Sequence, residues 1–213
     1  TPSFGPVHVV VSNATGSVLA DADTTAGNLC IVSNSLDGAL YIGNGKDGCG
    51  DGGDQVVTGV TVPAGVTLTL PEFTDLPGWQ GYGLIMVSND VVVNGTILST
   101  GTNGQGIEAK RIFISSTGTI SASATTMDTA GKEIWLGWDN STSYTSGIFN
   151  HGTVEANGKG TGGGGYIYLE ALDQVVHAGT IEANGGNSDT ANGGDCQANA
   201  LDIQVDYGNF YSS

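Results

Sequence analysis

The sequence predicts an all-β protein, a right-handed parallel β-helix with an irregular β region capping its N-terminal end. Three observations predict it: one phrase returns four times, short segments rich in Val, Ile and Thr alternate with glycine-rich turns, and no segment has a convincing helical period. Glycine supplies 36 of the 213 residues, and each interior glycine costs a helix about 1 kcal/mol relative to alanine.

The repeated phrase has Gly-Thr followed by Ile or Val at its centre. Its Gly-Thr steps begin at residues 95, 118, 152 and 179, a spacing of 23, 34 and 27 residues, which is typical of a solenoid. Equivalent positions on adjacent rungs of a parallel coil lie about 4.8 Å apart, so like residues stack into columns. We expect an inward apolar column, an inward small column and an outward threonine column: Ile97, Ile120, Val154 and Ile181; Ser99, Ala122, Ala156 and Ala183; Thr96, Thr119, Thr153 and Thr180. The central glycine of each phrase is predicted to adopt a turn with φ > 0.

The fit to this repeat divides the chain into two predicted regions. Residues 60–213 form the β-helix, which begins with a strand, a turn and a strand over Val60–Leu70. Residues 1–59 fit poorly and are predicted to form an N-terminal β cap or assembly region, since the end of a solenoid exposes an open edge. The 34-residue spacing has extra residues around Met127–Thr145, predicted to bulge as a loop containing Trp135 and Trp138.

The phrases Asn94-Gly-Thr-Ile97 and Gly179-Thr-Ile-Glu-Ala-Asn-Gly185, with the glycine-rich junction Thr161–Gly165, resemble the β-helix repeats of bacterial surface proteins of the filamentous-haemagglutinin and autotransporter adhesin type. The resemblance covers about residues 84–205. It implies a right-handed parallel β-helix exported to the cell surface. The chain begins Thr1-Pro2-Ser3 without a methionine or an apolar leader, so we expect a secreted, mature product that is extracellular or bound at the cell surface.

The charge balance limits the partners. A formal charge of −16, from 21 acidic and 5 basic residues, disfavours nucleic acid and anionic lipid, and no stretch is long and apolar enough to span a membrane. No cofactor is required, but calcium is a candidate ligand of two acidic groups, because carboxylates suit this ion. One group lies in a glycine-rich loop and the other on neighbouring rungs: Asp47, Asp51 and Asp54; Glu155 and Glu182. The alternatives are a surface turn held by Cys49 and two solvated carboxylates that splay apart.

Cysteine, histidine and asparagine give weaker signals. Cys30 and Cys49 are candidates for a disulfide that would leave Cys196 free or paired between chains, although spacing alone leaves three connectivities open. His151 and His177 stand one and two residues before their glycines, so they should face opposite sides and make no metal or catalytic pair. Two sequons are candidate glycosylation sites, at Asn140 and Asn13.

Three function hypotheses follow, and the leading one is an extracellular subunit that assembles with copies of itself into a filament, sheath or surface layer. Two apolar strands are expected to add edge-on to another copy, and their residues are Val7, Val9 and Val11, and Leu201, Ile203 and Val205. The alternative is an adhesin or carbohydrate-binding fragment that contacts surface glycans through exposed aromatic residues, namely Trp135, Trp138 and Tyr144. A polysaccharide-degrading enzyme is third; the sequence favours a protein that is not an enzyme and assigns no catalytic residue.

Overall fold

The computed structural model describes residues 7–10, 17–20, 30–33, 40–43, 57–70, 81–86, 89–137, 145–205 and 209–211. Every regular element in these ranges is a short β-strand. The first seven strands are β1 (Val7–Val10), β2 (Ser17–Ala20), β3 (Cys30–Ser33), β4 (Leu40–Gly43), β5 (Val57–Val62), β6 (Thr67–Leu70) and β7 (Tyr82–Met86). The next seven are β8 (Asp90–Val93), β9 (Thr96–Ser99), β10 (Gly104–Glu108), β11 (Arg111–Ile114), β12 (Thr119–Ser121), β13 (Glu133–Leu136) and β14 (Gly147–Asn150). The last seven are β15 (Thr153–Glu155), β16 (Tyr166–Glu170), β17 (Gln174–His177), β18 (Thr180–Glu182), β19 (Asp195–Asn199), β20 (Asp202–Val205) and β21 (Asn209–Tyr211).

The strands form three sheets that wind into a parallel β-helix, as the sequence predicted. Sheet 1 has the order β1-β5-β8-β11-β14-β17-β20, and sheet 2 has the order β21-β18-β15-β12-β9-β6-β2-β4-β3. Sheet 3 has the order β19-β16-β13-β10-β7. From β5 onward, three consecutive strands make one rung, with one strand in each sheet. All neighbouring strands from β5 to β21 pair in parallel.

The apolar column predicted from the repeat is confirmed. Ile97 pairs with Ile120, Ile120 with Val154, and Val154 with Ile181, and all four side chains are completely buried. Leu68 extends the same column by one rung toward the N-terminal end. The predicted small column is also buried, with Ala122, Ala156 and Ala183 inaccessible and Ser99 nearly so. Identical neighbours fill the interior because each inward side chain meets the same position of the next rung.

The central glycines are needed for a reason other than the one predicted. Gly95, Gly118, Gly152 and Gly179 do not adopt positive φ, so the predicted left-handed turn is wrong. Each instead packs against the backbone of the preceding rung. A Cβ at Gly152 would lie 2.2 Å from the carbonyl oxygen of Gly118, and one at Gly179 would lie 2.1 Å from that of Gly152. Rungs approach too closely at this corner for any side chain.

The N-terminal strands differ from the regular coil at sheet 2. Strands β1 and β2 pair in parallel with β5 and β6, so they continue sheets 1 and 2. Strand β4 adds to β2, and β3 then pairs with β4 in antiparallel fashion. An antiparallel edge strand interrupts the stacking pattern, as expected for a cap. The predicted boundary at residue 59 remains a prediction.

The excess of residues in the longest repeat is not a single loop. Strand β13, which contains Trp135, lies inside the range predicted to bulge, so the loop assignment of Trp135 is wrong. The local alternation of buried and part-exposed side chains in β13 explains the strand, because Ile134 and Leu136 enter the core. Trp138 lies outside the described residues.

Candidate functional site

Strands β19, β20 and β21 are the C-terminal edge strands of the three sheets, and we call this edge of the described coil the terminal rung, although β19 closes the rung that begins with β17. Its inward positions continue the core columns. Ile203 pairs with the buried Val175, and Val205 pairs with the buried His177. Nothing among the described residues covers them, and 46% of Ile203 and 48% of Val205 is exposed. Two inward columns that are completely buried on the preceding strand, at Val175 and His177, therefore reach solvent here.

The predicted assembly residues fall at the two ends of the coil. Leu201, just before β20, is 84% exposed and lies beside the terminal rung. Val7 and Val9 belong to β1, the opposite edge strand of sheet 1, and Val11 lies outside the described residues. Val9 is in register with Val60, which starts the buried series that ends at Ile203. That series runs Val60, Val91, Ile112, Ile148, Val175 and Ile203.

The outer face of sheet 3 bears stacked aromatic rings. Trp135 of β13 stacks on Tyr168 of β16, with ring centroids 4.2 Å apart and planes 18° apart. Tyr166, two residues before Tyr168, has its ring 6.3 Å from that of Tyr168 at an angle of 14°. Tyr166 is 47% exposed. These three rings, hereafter the aromatic platform, occupy two adjacent rungs.

Glu133 lies on β13, two residues before Trp135, and forms hydrogen bonds that hold the aromatic platform in place. Its Oε2 accepts hydrogen bonds from the Tyr82 hydroxyl and, at 3.0 Å, from Trp135 Nε1. Burial, followed by the hydrogen bond to Glu133, raises the pKa of Tyr82 well above its usual range. Burial also raises the pKa of Tyr168, and the charges of Glu133 and Asp195 add to that effect. All three hydroxyl and indole groups are neutral at physiological pH, while Glu133 fixes the orientation of the Trp135 ring.

Of the three predicted glycan-contact residues, the structure describes only Trp135, and its contact with glycans stays a prediction. Trp135 belongs to the platform, whereas Trp138 and Tyr144 lie outside the described residues. The sequence analysis did not identify Tyr82, Glu133 or Tyr168 as site residues. One signal was available: the segments Glu133-Ile-Trp-Leu136 and Tyr166-Ile-Tyr-Leu169 share an alternating pattern that places their first and third residues on one outer face.

Glu155 and Glu182, the predicted calcium ligands on neighbouring rungs, are register partners that face outward on β15 and β18. The carboxylate of Glu182 accepts amide hydrogen bonds from Asn157 at 3.2 Å and Asn184 at 3.5 Å. Asn157 Oδ1 in turn accepts from the backbone N–H of Asn184 at 2.9 Å. Glu182 thus has neutral donors as partners. Within the described ranges, no three acidic, histidine or cysteine side chains are grouped so that they could hold a metal ion.

Several other predicted site residues fall outside the described ranges, namely Asp47, Asp51, Asp54, Cys49, Asn13 and Asn140. Cys30, the predicted partner of Cys49, lies in β3. Cys196 lies in β19, and its side chain is half-buried. Burial, and then the charge of Asp195, raise its pKa to about 11, so the reactive thiolate is scarce at neutral pH.

The two histidines of the repeat lie apart, as expected. His151 is exposed, whereas His177 is completely buried in the core of sheet 1. His177 Nδ1 lies 3.1 Å from Nδ2 of Asn150, the residue paired with it on the preceding rung. Asn150 Oδ1 accepts a hydrogen bond from the Gly152 N–H at 3.0 Å. This pair is a satisfied polar element of the core.

Comparison with known proteins adds no family to this picture. A scan against protein-family models and searches of curated proteins and of solved structures find no significant match. Within the described residues, no helix has the length and apolar character that crossing a membrane requires.

Proposed function

We propose that this protein is an extracellular structural subunit that polymerises end to end through its terminal rung. The observation that supports the proposal most directly is the exposure of Ile203 and Val205, whose register partners Val175 and His177 are completely buried. Exposed apolar columns gain free energy when covered, at about 25 cal/mol for each Å² of apolar surface removed from water. Strand β20 is also an edge strand of sheet 1, and a strand of another chain can add to such an edge.

A second copy of the chain is the occupant that fits this edge. Sheet 1 ends in β20 on one side and in β1 on the other, and both pair in parallel with their neighbours. Adding β1 of one copy to β20 of the next would therefore continue a parallel ladder. Val9 and Ile203 are the first and last residues of the series of register partners that includes Val60 and Val175. Placing Val9 of one copy next to Ile203 of another would therefore continue that column of side chains. Such a head-to-tail contact does not close on itself and leads to a filament.

The net charge of the subunit sets a condition on assembly. At −16, identical subunits repel one another, and salt screens that repulsion with a Debye length of about 10 Å at 0.1 M. Polymerisation should therefore increase with ionic strength. The same acidic surface favours solubility of the free subunit in an extracellular medium.

The test compares the native chain with Ile203→Asp by analytical ultracentrifugation and negative-stain microscopy across a salt series. We expect polymers of the native chain that lengthen with salt, and monomers of Ile203→Asp, because a carboxylate would end the apolar column. Met127→Asp is the matched control, since Met127 is 65% exposed on a lateral corner of the coil, and it should polymerise normally. A native chain that stays monomeric at all salt concentrations would refute the proposal. A native chain that stops at a dimer would also refute it, because that result indicates a closed pair joined through two terminal rungs and not a filament.

The other function hypotheses rest on different residues. The adhesin or glycan-binding alternative depends on exposed aromatic residues, of which Trp135 belongs to the aromatic platform on sheet 3. The enzymatic alternative depends on Glu155 and Glu182 as a carboxylate pair, and the two amides that bind Glu182 favour a structural part for that residue.

A further inference from the structure

We propose that His177 is a pH sensor whose protonation opens strand β20 of the terminal rung, so that acid releases the edge used for assembly. The geometry behind it is a buried imidazole with a hydrogen-bond partner of fixed polarity, directly below an edge strand. The release of polymers rests on the proposed function, whereas the opening of β20 is a property of the single subunit.

The orientation of the Asn150 amide is fixed by two backbone groups. Its Oδ1 accepts a hydrogen bond from the Gly152 N–H at 3.0 Å, and its Nδ2 lies 3.5 Å from the Thr180 carbonyl oxygen. Turning the amide over would place two donors together at Gly152 and two acceptors together at Thr180. Nδ2 therefore faces His177 Nδ1, at 3.1 Å, and donates to it. The neutral imidazole must then carry its hydrogen on Nε2.

Protonation of His177 conflicts with this arrangement. The added proton would go to Nδ1, which already faces the Asn150 Nδ2, so a donor would meet a donor. Turning the amide over would satisfy the imidazolium but would set the Gly152 N–H against another N–H. The imidazole is also completely buried, and a buried charge without a partner is strongly disfavoured. A proton therefore favours any state in which the imidazole reaches water.

Among the described residues, no charged side chain faces the imidazole. Strands β14 to β20 make the rungs around His177, and their inward side chains are aliphatic except for His177 itself, Asn150 and Cys196. Burial raises the pKa of the Cys196 thiol to about 11, so the thiol is neutral in mild acid. The charged side chains of these strands occupy outward positions, and they are Glu155, Glu170, Glu182, Asp195 and Asp202.

The imidazole can reach water through the terminal rung. His177 pairs with Val205 of β20, and β20 is the edge strand of sheet 1. All four residues of β20 are exposed, so little burial holds this strand against β17. Segments with few buried contacts open at a low free energy compared with the core. Opening β20 would uncover His177 while Asn150 and the preceding rungs stay in place.

Proton linkage gives the direction and size of the effect. An imidazole in water takes up a proton at about pH 6.5. Because the open state binds a proton that the closed state does not, the open population is constant above this pH and rises about tenfold per pH unit below it. Between pH 7.5 and pH 5 the rise is about 30-fold. An open β20 cannot pair with β1 of another copy, so assembly should be lost over the same range.

The net charge of the subunit predicts the opposite pH dependence. Carboxylates, with ordinary pKa values of about 4, begin to take up protons near pH 5. This uptake reduces the charge of −16 and weakens the repulsion between copies. Acid would therefore promote polymerisation if repulsion alone controlled it, and a loss of polymer in acid distinguishes the sensor from simple charge neutralisation.

The first experiment measures hydrogen–deuterium exchange of the native chain, dilute and at low salt, where polymerisation is weakest. Exchange of β20 is followed by mass spectrometry from pH 7.5 to pH 4 and divided by the intrinsic rate at each pH. We expect the ratio for β20 to rise by about tenfold or more between pH 6.5 and pH 5, while the ratio for β11 stays constant. A constant ratio for β20, or a rise that begins only near pH 4, would overturn the proposal.

Variants assign the response to one of the three histidines. His177→Gln can still accept from the Asn150 amide but does not titrate, so its β20 ratio should change by less than about twofold between pH 7.5 and pH 5. The double variant His8→Gln/His151→Gln keeps His177 as the only histidine and should respond like the native chain. It also keeps the test decisive if His177→Gln does not fold. An equal response in a folded His177→Gln, or no response in the double variant, would contradict the assignment.

The second experiment follows polymer mass by sedimentation at high salt over the same pH range. Native polymers should disappear by about pH 5, and polymers of His177→Gln should persist. Native polymers that persist at pH 5 would overturn the link between the sensor and assembly. A native chain that forms no polymer at any pH would refute the proposed function, and the exchange data would still decide the role of His177.

Discussion

Asn150 and His177 face each other across adjacent rungs in the core, where both are completely buried, with Asn150 Nδ2 3.1 Å from His177 Nδ1. Because Asn150 Oδ1 accepts from the Gly152 N–H, its amide nitrogen is the atom left to donate to the imidazole. The Asn150 amide therefore links the backbone of Gly152, at the corner between sheets 1 and 2, to the imidazole of His177. His177 in turn pairs with Val205 of the terminal rung.

Replacing Asn150 with isoleucine should destabilise the protein, although the column gains apolar volume. The Gly152 N–H and one nitrogen of His177 lose their partner in the core, which costs about 1–3 kcal/mol. Urea unfolding monitored by circular dichroism measures the change. Ile114→Val, one rung earlier in the same column, is the control and should cost about 0.5–1.5 kcal/mol. A more stable Asn150→Ile variant would show that the amide contributes nothing.

Replacing Gln105 with leucine should stabilise the protein. Gln105 is completely inaccessible, and neither its Nε2 nor its Oε1 has a hydrogen-bond partner among the described residues. Its register partner on β13 is Ile134, so an apolar side chain of similar volume suits the position. We expect a gain of about 1–3 kcal/mol and a higher Tm. Gln174→Leu, on the outer face of β17, should change Tm little, and a lower Tm for Gln105→Leu would indicate that buried water satisfies the native amide.

Replacing Gly152 with alanine should be strongly destabilising. The new Cβ would lie 2.2 Å from the Gly118 carbonyl oxygen and 2.3 Å from that of Ser115, so two backbone segments must move. Overpacking typically costs about 1–3 kcal/mol, and we expect at least the upper end of that range because backbone must be displaced. Gly163→Ala is the matched control, because its nearest neighbour would be 3.3 Å away. Equal loss of stability in the two variants would contradict the close approach of rungs at this corner.

Cys196 should make stability fall between about pH 9 and pH 11. Its pKa is 9.0 in the unfolded reference and about 11 in the fold, mainly because of burial. Between these two pKa values the unfolded chain loses the thiol proton that the folded chain keeps, so rising pH favours unfolding. Below about pH 9 the thiol is protonated in both states, and the full free energy of unfolding is retained. Urea unfolding at pH 8 and pH 11 should show a larger loss for the native chain than for Cys196→Ser. Equal losses would mean that the thiol ionises alike in both states.

The repeat was sufficient to predict the stacking of sheet 2, but not the aromatic platform on sheet 3. Ile97 and Ile120 could be aligned because both follow a Gly-Thr step, and the structure places them in register. Sheet 3 has no such phrase. The corners that lead into it run over residues 100–103, 122–132, 156–165 and 183–194, so the chain distance to the next strand varies from rung to rung.

Register across sheet 3 is therefore set by contacts between rungs and not by sequence spacing. Trp135 and Tyr168 are 33 residues apart, and only the parallel pairing of β13 with β16 brings their rings together. Gln105 was missed for a related reason, because its inward position follows from the pairing of β10 with β13. The repeat places a glycine at the centre of each phrase, but the predicted positive φ was wrong, because the close contact is with a neighbouring rung, which local sequence does not encode.

The parallel ladders described above also determine how the molecule responds to force. Hydrogen bonds between successive rungs run along the coil axis, so a pull on the two ends loads them in series, and the weakest rung yields first. A sideways load is instead shared among the three strands of each rung and the covalent corners that join them. A fibre of such coils would resist bending and compression well, and it would lengthen under tension by opening one rung at a time.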